Sequence, residues 1–249
     1  TGFYKMFELN NDLDIKIARD IGPQKRSAII IDNFYKNPDE VRALALEENK
    51  NGNRELCGAL PGTRVFVDTE EVKDNLANLL TDLCSDTNIW GRSITPEPFF
   101  QELGNLRFLV NVITDETLKK NPAGIIPHQD YYAGDFPSEF GAVLYLNTPE
   151  ECAGGTSLWS LNGEMTVPKL DNPFIRPHPE GLTEDDLSPE EVFTYIRKDL
   201  DTSDHWKCEH TFEMVYNRFV LYEAFNLHGQ CVDLGMFTNY SRINQVFFL

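Results

Sequence analysis

The chain has 249 residues and a net charge of −18, from 40 acidic residues against 22 basic ones. A surface this negative repels phosphate backbones, and no Lys/Arg cluster offsets it, so nucleic acid is not an expected partner. Hydrophobic residues make up 41% of the chain, which predicts a globular fold. No apolar run reaches the roughly 18 residues of a membrane span, so we expect a soluble protein with no membrane partner.

Cysteine usage bears on the compartment and on metal binding. The five cysteines are far apart, odd in number and without a C-x-x-C pair. This spacing is poor for a disulfide framework and for a zinc site, so reduced thiols and a cytoplasmic location are predicted. The first residue is Thr1 rather than Met, which leaves open the removal of a targeting segment.

The first third of the chain mixes strands with helices. The apolar run Ser27–Phe34 predicts a buried strand, and "NPDEVRALALEEN" predicts a helix with Asn37 before it and Pro38 in its first turn. "PGTRVFVDT" is a turn followed by a strand, and "TEEVKDNLANLLTDLCSD" is an amphipathic helix that begins after Thr69. We interpret residues 1–95 as a support for the rest of the domain.

From about residue 96 the pattern becomes that of short strands. The segments "LRFLVNVIT", "GAVLYLN", "GTSLWSL", "FEMVY", "RFVLYEAF" and "RINQVFFL" are rich in β-branched and aromatic residues and are separated by turn residues. The chain is therefore predicted to be one domain, residues 1–249, mainly β with flanking helices. Residues 96–249 would form a core of the jelly-roll type.

One segment interrupts these strands. Residues 160–212 contain several prolines and 12 acidic residues against 5 basic ones, with one predicted helix near Ser188–Lys198. Long insertions in compact domains are often lids or binding loops. A plain solvated excursion is an equal alternative, so the role of this acidic insert stays open at this point.

Two His-x-acid triplets could belong to a metal site. In an acidic chain such triplets arise by chance, and His178-Pro179-Glu180 lies in a proline-rich loop. His128 and Asp130 instead lie between two apolar strands, and alternation puts both side chains on one side of an extended backbone. The sequence therefore favours the His128/Asp130 pair as metal ligands.

An iron centre for oxygen chemistry needs a second imidazole, with two histidines and one carboxylate on a single face. His205 and His210 lie in the charged insert, whereas His228 follows the apolar strand "NRFVLYEAF" and is the stiffer candidate. Arg242 opens the last strand and has Asn244 on the same strand face. An arginine in that position is suited to clamp a carboxylate.

The ordered set H-x-D, "AVLYLN…GGTSLW", "NRFVLYEAFNLH" and "SRINQVFF" resembles the non-haem iron(II)- and 2-oxoglutarate-dependent dioxygenases, in particular the prolyl-hydroxylase-like branch. The front segments "IIDNFYKNPDEVRALALE" and "LPGTRVF" are similar to an uncharacterised bacterial and phage-type subgroup of these enzymes. The core resemblance covers residues 105–249 apart from the insert.

The resemblance implies a double-stranded β-helix (a jelly-roll, cupin-like fold) in which His128, Asp130 and His228 bind Fe(II) and carry catalysis. It implies that Arg242 binds 2-oxoglutarate as co-substrate, with Asn244 standing where many relatives have Ser. O2 would then be consumed with release of succinate and CO2 while a C–H bond is oxidised. An acid at position 130 is typical of hydroxylases rather than of related halogenases.

The substrate is expected to be a small molecule, an amino acid or a peptide. Tyr131 and Tyr132 lie beside the metal pair and could contact it, and Trp159 is a further candidate that is more typical of a core residue. Two other interpretations remain open. One is a cupin-like metal- or ligand-binding module without turnover, and the other is an O2-independent metalloenzyme that uses the same triad.

Overall fold

The computed structural model describes residues 6–56, 61–93, 107–130, 139–167 and 179–249. The strands are β1 (Asp14–Ile21), β2 (Arg26–Asp32), β3 (Arg54–Leu56), β4 (Thr63–Val67), β5 (Phe108–Ile113), β6 (Phe140–Tyr145), β7 (Gly155–Leu161), β8 (Trp206–Glu213), β9 (Phe219–Glu223), β10 (His228–Cys231) and β11 (Arg242–Phe248). The α-helices are α1 (Pro38–Asn51), α2 (Glu71–Ser85), α3 (Thr87–Trp90), α4 (Asp115–Lys120) and α5 (Pro189–Thr202).

The strands form two antiparallel sheets. The large sheet has the order β1-β2-β9-β6-β11-β5-β4-β3, and the small sheet has the order β10-β7-β8. Most neighbours in the large sheet are not consecutive in the chain, so distant segments are hydrogen-bonded side by side. The prediction of a mainly β fold with flanking helices is confirmed at this level.

One face of the large sheet is covered by helices. Side chains alternate across a strand, so one set from the sheet packs with the apolar faces of α1 and α2 in a single buried cluster. In α2 the buried positions recur every four residues, along one face of the predicted amphipathic helix. They are Val72, Leu76, Leu80 and Cys84.

The opposite face of the large sheet packs against the small sheet. A second buried cluster joins Tyr145, Val220 and Val246 of the large sheet to Leu158 and Phe212 of the small one. Every residue of β6, β7 and β9 is buried. The candidate site lies on this inner side, where strands of both sheets present polar side chains.

The acidic insert connects the neighbouring strands β7 and β8. Its predicted helix is confirmed as α5, with the Ser188 Oγ accepting a bond from the Glu191 N–H and the Glu191 carboxylate accepting one from the Ser188 N–H. The connection between the two strands is residues 162–205, because β7 continues to Leu161, the end of the predicted strand "GTSLWSL", and β8 begins at Trp206. Pairing with β7 extends β8 into the polar sequence of the predicted insert.

The helix of the insert lies on the outer side of the small sheet. Arg197 of α5 forms an ion pair with Asp233 at 3.0 Å, and its charge also acts on the Cys231 thiol. Cys231 is out of phase with His228 along β10, so the two side chains point to opposite faces. This helix therefore does not cover the inner face, and residues 168–178 of the insert lie outside the described part.

The described parts of the chain contain no helix long and apolar enough to cross a membrane. The cysteines within them, Cys84, Cys152, Cys208 and Cys231, are free thiols.

Candidate metal centre

The metal-ligand candidates are brought together by one backbone bridge. A 3-10 turn at Pro122–Ile125 ends just before His128, and the chain there is extended. The His128 N–H donates to the His228 carbonyl at 2.8 Å, and the His228 N–H donates to the His128 carbonyl at 2.9 Å. The Asp130 N–H then donates to the Ala224 carbonyl at 2.9 Å, which fixes the third ligand beside the first two.

The three side chains converge as the sequence predicts. Asp130 Oδ1 lies 3.4 Å from the His128 Nε2, and Asp130 Oδ2 lies 3.1 Å from the His228 Nε2. One ligand atom from each residue lies within 4.8 Å of the other two, and no other such group occurs among the described residues. In the competing triplet, His178 lies outside those residues.

The spacing of these donors fits one divalent ion. Two ligands at about 2.1 Å from an ion and at right angles to each other are about 3 Å apart, close to the observed separations. Two imidazoles and one carboxylate on a single face match the donor set of non-haem Fe(II) sites, with further coordination positions left open. The residues present therefore fit such an ion.

The ring of His228 is oriented by the backbone. Its Nδ1 is 2.7 Å from the Asn226 carbonyl, so Nδ1 carries the proton and Nε2 is left as the ligand atom. His228 is only 3% exposed, whereas the side chain of His128 is half exposed. The centre is therefore closed on the His228 side and open on the His128 side.

The electrostatics of the triad follow from its packing. Burial tends to raise the pKa of Asp130, but the charge of His228 and the bond from His128 outweigh burial and hold that pKa well below its usual range. The half of the His128 side chain that is covered by protein loses solvation, which tends to lower its pKa, but the bond and charge of Asp130 prevail and raise it. Asp130 is consequently an anion at neutral pH, as a metal ligand must be.

Arg242 is the largest fully buried side chain of the described residues. Its Nη1 donates to the Asn244 Oδ1 at 2.5 Å and to the Gln230 Oε1 at 3.2 Å, and its Nη2 donates to the Gly155 carbonyl at 3.0 Å. The Nε of Arg242 is buried without an acceptor. All of its partners are neutral, so the hydrogen bonds position the guanidinium without neutralising it.

No carboxylate of the described residues forms an ion pair with Arg242. Burial lowers the pKa of Arg242, but an arginine stays charged at neutral pH in proteins. A buried charge without a counter-ion is costly unless an anion completes the site. The guanidinium is therefore a buried positive charge whose described partners are all neutral.

The guanidinium of Arg242 is connected to the triad through β10. Gln230, which accepts from Arg242, is two residues after His228, so both side chains project from the same face of the strand. Residues two apart in a strand are separated by about 6.7 Å. The metal donors and the guanidinium thus line one space between the sheets.

The predicted neighbour Asn244 lies beside Arg242 and is 2% exposed. It pairs in register with Asn111 of β5 on one side and with Tyr145 of β6 on the other. The Tyr145 hydroxyl donates to the Thr156 Oγ1 at 2.8 Å. A row of polar side chains therefore crosses the inner face of the large sheet next to the guanidinium.

Other residues that line this space were not predicted from the sequence. Tyr222 packs its ring 4.8 Å from that of His228, and burial together with the Asp130 charge raises the pKa of its phenol. Gln230 accepts a hydrogen bond from Arg242, and the Cζ of Arg242 lies 5.8 Å from the centre of the Tyr145 ring. A polar residue in an otherwise apolar strand was the available signal, most clearly Asn111 in "FLVNVI".

The remaining candidates stand apart from the centre. Trp159 is 7% exposed and packs edge-on against Trp206, with the ring centroids 6.3 Å apart. It alternates with Leu158, the register partner of His228, so its indole lies on the opposite face of β7. This location favours a packing role. Tyr131 and Tyr132 lie outside the described residues.

Neither of the competing histidines belongs to the triad. His205 Nδ1 is 2.8 Å from the Asn162 Oδ1, at the end of the insert. His210 lies on β8 rather than in a loop and pairs in register with Leu158. His228 is the histidine that lies beside His128 and Asp130, although being on a strand does not distinguish it from His210.

Comparison with known proteins places the chain in a family. No curated protein matches it. Among solved structures, it is similar to a protein of Burkholderia xenovorans described as a candidate alpha-ketoglutarate dependent 2,4-D dioxygenase, with 10% identity over 68% of this chain and 86% of that chain. The TM-score of 0.31 makes that likeness too weak to support an argument. Residues 13–239 match the model of a family of unknown function, DUF6445, so the chain is a member of that family.

Proposed function

We propose that this protein is an Fe(II)- and 2-oxoglutarate-dependent oxygenase. It would hydroxylate a C–H bond of a small molecule, an amino acid or a peptide, with release of succinate and CO2. One observation carries the proposal: a His128/Asp130/His228 donor set shares its space with a buried Arg242 that lacks an acidic partner among the described residues. A 2-oxo diacid such as 2-oxoglutarate would bind the metal through its 2-oxo acid end and the guanidinium of Arg242 through its distal carboxylate.

The order of the strands supports a jelly-roll interpretation of the core. Strand β5 is in the large sheet, the His128 segment bridges to β10 of the small sheet, and β6 is again in the large one. β7 and β8 are then in the small sheet, β9 in the large, β10 in the small and β11 in the large. The order in which the chain visits the two sheets is therefore symmetric about the β7–β8 connection. This symmetry is expected for a jelly roll, in which the chain folds back on itself and forms two Greek keys.

Bound iron would supply the O2 chemistry that no side chain can perform. The residues of the chain have simpler tasks. His128, Asp130 and His228 hold the ion from one face and leave the others for ligands. Arg242 binds the distal carboxylate of 2-oxoglutarate, and Asn244 and Gln230 hold the guanidinium in place. The sheets keep bulk water from the buried carboxylate position.

The two alternatives predict different behaviour. A cupin-like module would bind metal and ligand but consume nothing. An O2-independent metalloenzyme would use Arg242 for a substrate carboxylate and would turn over without oxygen. The proposed oxygenase alone couples Fe(II), 2-oxoglutarate and O2.

The test is to load the metal-free protein with Fe(II) and measure 2-oxoglutarate binding without O2, then succinate formation with O2. We expect a visible absorption band when the oxo acid chelates the iron, and slow succinate release even without substrate. The variant His128→Ala should lose both signals, whereas His210→Ala, a histidine outside the triad, should keep both. Metal binding without an absorption band would contradict the proposal and favour the alternatives.

A further inference from the structure

A second arginine lies on the same inner face of the large sheet. Arg64 of β4 pairs in register with Asn111 of β5, and Asn111 pairs with Asn244 of β11. Residues in register on neighbouring strands share a face, so Arg64 belongs to the row of polar side chains that reaches Arg242. Its strand β4 is separated from β11, the strand of Arg242, by β5.

The guanidinium of Arg64 is held in place, but most of its N–H donors have no acceptor among the described residues. Its Nε donates to the Asn111 Oδ1 at 3.0 Å, and its Cζ lies 5.3 Å from the centre of the Phe248 ring. These two contacts fix the plane of the group. The remaining N–H donors form no hydrogen bond with a described residue, so they are available to a ligand.

Arg64 also lacks an acidic partner among the described residues. Arg92, Arg197 and Arg218 each form an ion pair with a carboxylate. In a chain of net charge −18, half-buried arginines normally find such partners. Arg19 and Arg54 lack one as well, but both are exposed to solvent. On the inner face, Arg64 and Arg242 are the arginines left without a carboxylate in the described part.

The position of Arg64 relates it to the metal centre. Its guanidinium lies over the ring of Phe248, and Phe248 pairs in register with Gly141 of β6. Gly141 pairs in turn with Tyr222, whose ring packs 4.8 Å from that of His228. A 2-oxoglutarate gripped by Arg242 would have its other carboxylate at the metal donors. Both carboxylates of the co-substrate are then accounted for, and Arg64 remains for a different anion.

We propose that Arg64, positioned by Asn111, binds a carboxylate of the substrate to be oxidised, so that the substrate class is carboxylic acids. This inference rests on the proposed oxygenase function. A guanidinium recognises a carboxylate through two parallel charged hydrogen bonds, which an amide of the same shape cannot form. The acidic surface elsewhere repels anions, so this local cation would give selectivity.

The test uses the full chain loaded with Fe(II) and 2-oxoglutarate. The probes are the twenty L-amino acids, each compared with its own C-terminal amide. Two signals are followed: the shift of the visible absorption band without O2, which needs no turnover, and the acceleration of succinate formation with O2. We expect at least one acid to give both signals and its amide to give neither.

Two variants assign the effect to Arg64. Arg64→Met should weaken binding of the active acid about 10–100-fold, the usual effect of removing a hydrogen bond to a charged group. Arg64→Lys should weaken this binding less. The affinity for 2-oxoglutarate should stay within about twofold. The matched control is Arg107→Met, because Arg107 also lies over an aromatic ring, that of Phe66, but pairs with Asp68. This control should leave both affinities unchanged.

The outcomes separate the two proposals. If 2-oxoglutarate fails to bind the wild-type protein, the oxygenase proposal falls and this inference falls with it. If 2-oxoglutarate binds but every acid is silent or equals its amide, only the inference about Arg64 is overturned. It is also overturned if Arg64→Met weakens binding of 2-oxoglutarate instead of binding of the acid, because Arg64 would then belong to the co-substrate site.

Discussion

His128 and His228 form a reciprocal backbone pair in which each N–H donates to the carbonyl of the other, at 2.8 and 2.9 Å. Such a pair sets the two Cα atoms about 5.5 Å apart and directs both side chains to one face. The spacing of the imidazoles is therefore fixed by the sheet before any metal arrives. A preformed ligand set loses little conformational freedom on binding, which favours tight metal binding.

Metal binding should stabilise the folded protein. At a concentration of Fe(II) or Mn(II) about 100 times the Kd, linkage gives about 2.7 kcal/mol of stabilisation. For a chain of this size, that corresponds to a rise of about 5–10 °C in Tm. Thermal unfolding with and without metal measures the shift, and a chelator should reverse it.

Two histidine variants make this measurement specific. His228→Ala should abolish the metal-dependent rise in Tm, because two donors are left. His210 lies on the same small sheet but outside the triad, so His210→Ala should keep the full metal-dependent rise in Tm. Equal shifts in both variants would mean that the metal binds elsewhere.

The affinity for metal should depend on pH through His128. Burial lowers the pKa of His128, but the Asp130 bond and charge outweigh it, so the net pKa lies above the ordinary value of about 6.5. The imidazole ligates only when neutral, and Asp130 stays ionised because its own pKa is lowered. Metal affinity should consequently rise with pH through the neutral range and then level off.

Competitive Mn(II) titrations from about pH 5.5 to about pH 8.5 would follow this ligand. Below the pKa of His128, affinity should fall about tenfold for each pH unit if one proton is displaced. Asp130→Asn removes the group that raises the pKa, so the midpoint should move to lower pH while the overall affinity drops. A flat pH profile of the wild-type protein would rule out an imidazole ligand with a raised pKa.

Much of the centre was predictable because its residues are close in sequence or lie at strand ends. Alternation alone placed His128 beside Asp130, and the apolar strand before His228 favoured this histidine as the third member of the group. Gln230, Tyr222 and Arg64 could not be found this way. The alternation of side chains along a strand shows which residues share a face of that strand. Which of the two faces packs against the other sheet depends on the pairing of distant strands.

The bounds of the acidic insert show the same limit. Charge and proline content placed residues 206–212 in the excursion, yet β8 begins at Trp206 because its backbone pairs with β7. Local composition does not reveal hydrogen bonds to a strand some fifty residues away. The helix α5 was predictable because its capping box and apolar period are local signals.

Trp159 should prove to be a residue of stability rather than of catalysis. Trp159→Ala removes a buried indole that packs against Trp206, and large-to-small changes of this kind typically cost about 3–5 kcal/mol. Chemical denaturation would measure the loss in the free energy of unfolding. The Kd for metal, measured well below the melting temperature, should stay within about threefold.

His128→Ala is the opposite case, because this side chain is half exposed. It should change the free energy of unfolding of the metal-free protein by less than about 1 kcal/mol but abolish tight metal binding. If Trp159→Ala instead abolished metal binding in a folded protein, a location of the indole on the outer face of β7 would be untenable.

Arg242 should be important for co-substrate binding but not for stability. Arg242→Met leaves Asn244, Gln230 and the Gly155 carbonyl without a donor, which destabilises the protein. The same change removes a buried charge that lacks a counter-ion, which stabilises it by a similar amount. The free energy of unfolding of the metal-free protein should therefore change by no more than about 1–2 kcal/mol.

The affinity for 2-oxoglutarate should respond differently, because the variant removes the charge that pairs with its distal carboxylate. Truncating one partner of a buried charge pair costs about 2–5 kcal/mol, roughly 30-fold or more in Kd. Arg218→Met is the matched control, since Arg218 binds Asp32 through two hydrogen bonds at 2.6 and 3.0 Å. It should lower the stability, because Asp32 loses its partner, and leave 2-oxoglutarate binding intact. An Arg242→Met protein that binds 2-oxoglutarate as tightly as the wild type would show that the carboxylate is held elsewhere.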